Sequence, residues 1–291
     1  MAMTRTKRLL LLENYKKERE ELRKGRLERL SRMETTPEIQ IVAKLVEQAD
    51  ISPAIAVQRF LGLTTLSRDS GTIGRHCTRA SNACIILGSR TPPERQPKLV
   101  TFIVELKRNT IPDLQTGESI LQYDGSLVWT ELPTFGWNFS NELHDRCMLS
   151  KVMDITFDID EFLGLGSDKT PEDAYESENL NAFCAQIGAA KVWPGHSLMW
   201  PILMFRNAWP DLPNGHTIHY VRVACLWYIY AADAIWAATL DDENEQWTRE
   251  MWDKYKECLL ASQANMRNQE ARKLLDQAVA HMKGAEESGQ V

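Results

Sequence analysis

Residues 220–240, YVRVACLWYIYAADAIWAATL, form a nearly continuous apolar run whose only charged members are Arg222 and Asp233. At 3.6 residues per turn, apolar side chains fall on every face of such a helix. It must therefore be buried, either in a membrane or at the centre of a large helical domain. Ionisable groups inside a buried helix are costly unless they are paired or used. Asp233 is thus the first place to look for function.

The length of the run permits a membrane span. Against that reading stand the two charges, rare in spans, and the lack of a second comparable run. We therefore expect no membrane span and place the run at the centre of a soluble all-α domain. A chain of 291 residues has ample material for such a core. Its apolar content of 43% and charged content of 25% are ordinary for a globular protein. The formal net charge of −6 argues against a chain that coats nucleic acid. Charge is uneven, since residues 1–34 carry eleven Lys/Arg against six Glu. The N-terminal apolar stretch, Leu9 to Leu12, is too short for a signal h-region. Six cysteines without a CxxC pair suit a reduced, cytoplasmic protein.

Residues 1–34 read as a charged helical extension, with Glu and Lys/Arg at helical spacings. The globular domain is expected over 35–283, followed by a disordered tail over 284–291. Thr35-Thr36-Pro37-Glu38 has the form of a capping box with an early proline, and Ser52-Pro53 opens a second helix. The stretch 64–96, rich in Ser, Gly, Arg and Pro, reads mainly as a connection with a short helix at 80–87. Further helices are expected at 97–108, after Pro133, from the start signal Thr170-Pro171-Glu172-Asp173 to about Ala190, and over 195–209, 220–240, 243–265 and 267–283. No stretch alternates with period two. The fold class is all-α, a single multi-helix domain around a buried apolar helix.

Four segments in order, LPTFGWNFSNEL, SENLNAFCAQIGA, WPILMFRNAW and ACLWYIYAADAIW, carry a family resemblance. The chain resembles a fungal family of helical proteins catalogued as a domain of unknown function. The matching positions are Trp129, Leu132-Pro133, Phe135-Gly136-Trp137, Asn179 to Phe183, Arg206-Asn207-Ala208 and Trp227 to Asp233. The resemblance covers most of 51–281. Ser140-Asn141 departs from the charged pair expected there. The resemblance implies a fungal, cytoplasmic protein, with some members encoded beside natural-product biosynthetic enzymes. It transfers no catalytic residue.

Asp233 and Arg222 lie eleven positions apart, three turns plus roughly 20°, on one side of the helix but too distant to pair. Each needs a partner elsewhere, and Arg206 is the candidate for Asp233. Trp227, Tyr230 and Trp236 complete a candidate pocket around that carboxylate. The alternative is a structural ion pair, whose loss on Asp233→Ala is expected to cost about 3–5 kcal/mol. Asp241, Asp242 and Glu245 fit a DDxxE pattern of hard oxygen ligands. A similar cluster binds Mg²⁺ in class I terpene cyclases, where aromatic walls suit a carbocation. Their second metal element is missing here, so a solvated loop capping the next helix is the simpler reading. Asp154, Asp158, Asp160 and Glu161 form a second acidic cluster, read as surface. His216 with His219, and Cys147 with His144 and Asp145, have spacings common by chance. Most of the tryptophans fall within 193–252, where core packing competes with pocket lining.

Two functional readings follow. One is a helical protein that binds a small apolar ligand or a protein partner, with no cofactor, as an accessory of secondary-metabolite biosynthesis. The other is an enzyme acting on an apolar metabolite, such as a Mg-dependent terpene cyclase of non-standard type. A nucleic-acid role for the basic 6–32 arm is disfavoured by the acidic remainder. An enclosed pocket at Asp233 with both acidic clusters converging favours the enzyme. A packed core under solvent-facing acids favours the interaction protein.

Overall fold

A computed structural model describes residues 14, 17, 21, 24–25, 28, 30–120, 126–151, 172–192, 199–208, 218–241, 244 and 246–289, apart from the side chains of 144–151, 172–174 and 207. Among them the chain is all-helical, and the only β contact is an isolated bridge between Pro112 and Ser119. We number the helices α1 (Pro37–Glu47), α2 (Pro53–Asp69), α3 (Ile73–Arg90), α4 (Pro97–Lys107), α5 (Phe135–Lys151), α6 (Glu172–Ala189), α7 (Met199–Ala208), α8 (Ile218–Thr239), α9 (Arg249–Asn265) and α10 (Gln269–Ser288).

The starts follow local chemistry. Proline opens α1, α2 and α4, where its missing N–H would be unpaired in any case. Ser52, Thr248 and Asn268 accept hydrogen bonds from the backbone N–H of Ile55, Met251 and Ala271. The capping box at α1 does not form. Thr36 Oγ1 donates instead to the Met33 carbonyl, and Glu38 turns into the core.

Helix α8 packs against α6, α7 and α10, and α9 packs on α10. The N-terminal helices α1 to α4 form a second group. The two groups meet chiefly where α3 crosses α6. One continuous core runs through both, from Val42, Phe60 and Phe102 to Trp227, Trp252 and Met282.

The largest difference from the sequence expectation is α3, a helix of 18 residues where a connection with a short helix was expected. Its buried face is made of Cys77, Ala80, Ser81, Cys84 and Gly88 beside Ile85 and Leu87. Small residues let a neighbouring helix approach closely but give a weak periodic signal. The last helix also runs past the expected Lys283, to Ser288. Within that last turn Ala285 is buried, and Glu286 accepts hydrogen bonds from Trp252 Nε1 and Lys256 Nζ.

Helix α8 is long and apolar enough to cross a membrane by length and composition, and its N-terminal half is enclosed by other helices. At Ala231 its backbone leaves helical geometry, with φ −138° and ψ 16°. Beyond that kink a stripe of Asp233, Ala237 and Leu240 faces solvent. The apolar run is therefore central in the fold without being buried on every face. Its C-terminal half still buries Ala232, Ile235, Trp236 and Ala238 on the opposite side.

Candidate functional site

The two charges of α8 have different surroundings. Arg222 lies in the enclosed half, and Glu178 of α6 meets it with both oxygens, at 2.7 Å to Nε and 2.8 Å to Nη2. The side chains are 13% and 7% exposed. Burial works against the Arg222 charge, but the hydrogen bonds to Glu178 and its field outweigh that, so the guanidinium is held more firmly cationic than usual. His219 Nδ1 lies 3.8 Å from Glu178 Oε1, beyond hydrogen-bond reach. Burial, with Arg222 adding to it, lowers the His219 pKa, while Glu178 opposes the shift. A charge on this imidazole is thus disfavoured beside the ion pair.

Asp233 is exposed on the outer stripe of α8, and so is Arg206 on α7. Among the described residues no ion pair joins them. The expectation of a buried Asp233 is corrected: this carboxylate lies on the exposed stripe with Ala237 and Leu240, so it needs no buried partner. Asp233→Ala should then change stability by less than about 0.5 kcal/mol. A urea midpoint lowered as far as for loss of a buried ion pair would contradict that placement.

The proposed pocket walls face inward rather than toward Asp233. Trp227 is buried and donates from Nε1 to Asn181 Oδ1 at 3.1 Å, while Asn181 donates to the Ser177 carbonyl. Tyr230 is half-buried, and its hydroxyl is pushed up by burial and by Glu94. Trp236 is buried under the guanidinium of Arg249, 3.9 Å from the ring centre. Beneath α8 the aromatic rings contact one another. Phe205 stacks on Tyr228 with centroids 4.6 Å apart and ring planes 1° from parallel. Trp252 meets Tyr228 edge-on at 5.5 Å and Trp236 at 5.0 Å, and Tyr255 lies 4.8 Å from Phe205. The aromatic wealth of this region is core packing.

Asp241 is exposed at the end of α8. Asn244, four residues before the cap of α9, accepts from the backbone N–H of Gln246 and Trp247. The turn thus prepares the α9 start, as a helix-capping loop does. Asp242, Glu245, the 154–161 cluster and His216 lie outside the described residues, as do the side chains of His144, Asp145 and Cys147. Among the described residues no three metal-ligating side chains converge.

A second buried polar cluster was not anticipated. Glu38 of α1 meets His76 Nδ1 of α3 at 2.9 Å. His76 Nε2 lies 3.1 Å from Thr64 Oγ1 of α2, which accepts from Trp129 Nε1 at 3.2 Å. All four residues are buried. Burial raises the Glu38 pKa, but the His76 hydrogen bond and the fields of His76 and Arg79 outweigh it, leaving the carboxyl below its usual value. Trp129 reaches this position with φ 65°, and Leu132 and Thr134 share the left-handed region with φ 50° and 71°. Three such residues within one short segment are uncommon, and they set the approach to α5. Glu178 is one of several acids in its stretch, and Glu38, Thr64 and His76 each fit a local role, so the sequence does not single them out. The one available signal was the need of Arg222 for a carboxylate.

A family model described as a protein of unknown function (DUF3632) matches residues 82–278, more than half of the chain. No curated protein matches, and no solved structure matches.

Proposed function

The chain belongs to the DUF3632 family, whose function is unknown, and we propose that it is a helical binding protein that docks a protein partner at its surface. The observation that carries this reading is the contrast at α8. Asp233 and Asp241, the acids best placed for chemistry, face solvent, while the rings beneath them fill the space with mutual contacts. Catalysis needs groups converging on a shared, water-poor cavity. A packed core under solvated acids suits recognition by the exterior.

The exterior offers anchors. Trp137 on α5 is 73% exposed, the largest apolar side chain so placed among the described residues. Exposed tryptophan is the residue type most often found at the energetic centre of protein interfaces. No disulfide joins Cys77, Cys84, Cys184, Cys225 and Cys258 to one another, which suits a reducing cytoplasm. Burial pushes the Cys84 and Cys225 thiols far up, so both act as core residues. A fungal source and an accessory role in secondary-metabolite biosynthesis, with no cofactor, complete the reading.

Native mass spectrometry of the full chain from its original host tests it. The expected result is a protein partner in fixed stoichiometry, with its share of the complex falling at least about tenfold in Trp137→Ser. A retained apolar metabolite without a protein partner would replace docking with small-ligand binding. Mg²⁺-dependent release of diphosphate from farnesyl diphosphate would replace it with the cyclase alternative.

A further inference from the structure

The Thr64 hydroxyl has more polar neighbours than it can satisfy in every protonation state of His76. Its hydroxyl has one proton and two lone pairs. Three groups lie within hydrogen-bond distance: Trp129 Nε1 at 3.2 Å, His76 Nε2 at 3.1 Å and the Phe60 carbonyl at 2.9 Å. The indole can only donate, so it occupies one lone pair. His76 Nδ1 faces a carboxylate oxygen at 2.9 Å and therefore carries a proton.

Two arrangements remain. With a neutral ring, Thr64 points its proton at Nε2, and the second bond to the Phe60 carbonyl is lost. With an imidazolium, Nε2–H donates to the remaining lone pair and Thr64 donates to Phe60, so every contact joins a donor to an acceptor. The two states differ by one added proton and the rotation of one hydroxyl, with no heavy atom displaced. They differ also in charge. Glu38 Oε2 is buried without a hydrogen-bond partner, so a full positive charge next to it offsets part of the cost of burying the carboxylate.

We propose that Glu38, His76, Thr64 and Trp129 form a proton-linked latch that fastens α1 to the rest of the domain, closed more tightly when His76 takes up a second ring proton from water. The placement supports a latch. Glu38 lies in the first turn of α1, five residues after Met33, whose carbonyl accepts from both the N–H and the hydroxyl of Thr36. What precedes α1 is therefore positioned by the same turn. Glu38, Thr64 and His76 all come before residue 82, where the family match begins, and Trp129 alone lies inside it. The latch thus joins residues before the matched region to a residue within it.

Few charges bear on the pair. Glu38 comes from α1, and Arg79 comes from α3 itself and favours the carboxylate. Helix α2 and the segment before α5 present the neutral Thr64 and Trp129, and the Phe60 ring stands between His76 and Phe102 of α4.

The test uses the full chain with labelled histidine. Long-range proton–nitrogen correlation reads both nitrogens of the His76 ring from about pH 5.5 to about pH 8.5, around the ordinary imidazole range. Amide exchange, corrected for intrinsic rates, is followed in parallel in α1 and in α8. The expected result is a doubly protonated ring at the acid end. As that proton is lost, α1 protection should fall at least about tenfold while α8 stays level. Thr64→Val should hold the ring neutral and remove the α1 response, and Thr64→Ser should restore both. A ring that keeps one neutral tautomer throughout overturns the latch. So does α1 protection that ignores the titration in the wild-type chain, a readout that needs no variant to fold.

Discussion

Replacing Glu178 with alanine should cost about 3 kcal/mol of stability, the largest loss expected from removing any one charge among the described residues. The reason is what remains. Arg222 cannot deprotonate, and it stays in the enclosed half of α8 with the two donors that Glu178 had bound now facing a void. Water reaches it only partly, since the side chain is 13% exposed. His219 supplies no substitute, because an imidazole carries no negative charge, and loss of Glu178 removes the field that opposes its lowered pKa. Arg222→Met should cost a similar amount, because Glu178 is then the stranded charge. The double variant Glu178→Ala with Arg222→Met should lose about 4 kcal/mol, less than the two single losses added together, with a coupling energy of about 2 kcal/mol. Urea unfolding of the four proteins closes the cycle. A double-variant loss equal to the sum of the single losses would show that the residues act separately and that the pair is not the unit holding α6 to α8.

The outcome at α8 also shows what a sequence can convey. The all-helical class and a core centred on α8 were legible, because wide apolar stripes and proline or serine starts are local signals. The requirement that Arg222 find a partner was legible too, since a guanidinium inside an apolar run has few options. The identity of that partner was not. Glu178 is one of several acids in SENLNAF and its approach, and only the packing of α6 on α8 selects it. The exposure of Asp233 is hidden in the sequence for a different reason. Reading the run as apolar on every face hides the narrow stripe of Asp233, Ala237 and Leu240 that reaches solvent beyond the departure at Ala231. The Glu38–His76–Thr64 chain was invisible because its members are 38 and 12 positions from His76. Each fits a local role, as a helix-start acid, a mid-helix threonine and a lone histidine.

The seam between the two helical groups depends on one missing methyl group. Gly88 lies on the buried face of α3, and a Cβ there would run into the ring of Phe183 on α6. Phe183 cannot simply swing aside, because it is fully buried and packs on Phe139 at 5.8 Å. The same crossing is tied by polar bonds that fix its distance. Asn179 donates to the Ser89 carbonyl, and buried Gln96 donates to the carbonyls of Gly88, Thr91 and Asn179. Separating the helices to admit the methyl would stretch those bonds as well. Gly88→Ala is therefore expected to cost about 3 kcal/mol, at the upper end of overpacking losses, even though alanine is the better helix former. Gly62 supplies the control. It sits on α2 with nothing within 4 Å of a built Cβ, so Gly62→Ala should gain about 0.5–1 kcal/mol from helix propensity alone. The opposite signs separate packing from propensity within one protein. A Gly88→Ala chain as stable as the wild type would mean that α3 and α6 lie farther apart than described. The two halves of the core would then be joined by something other than this close approach.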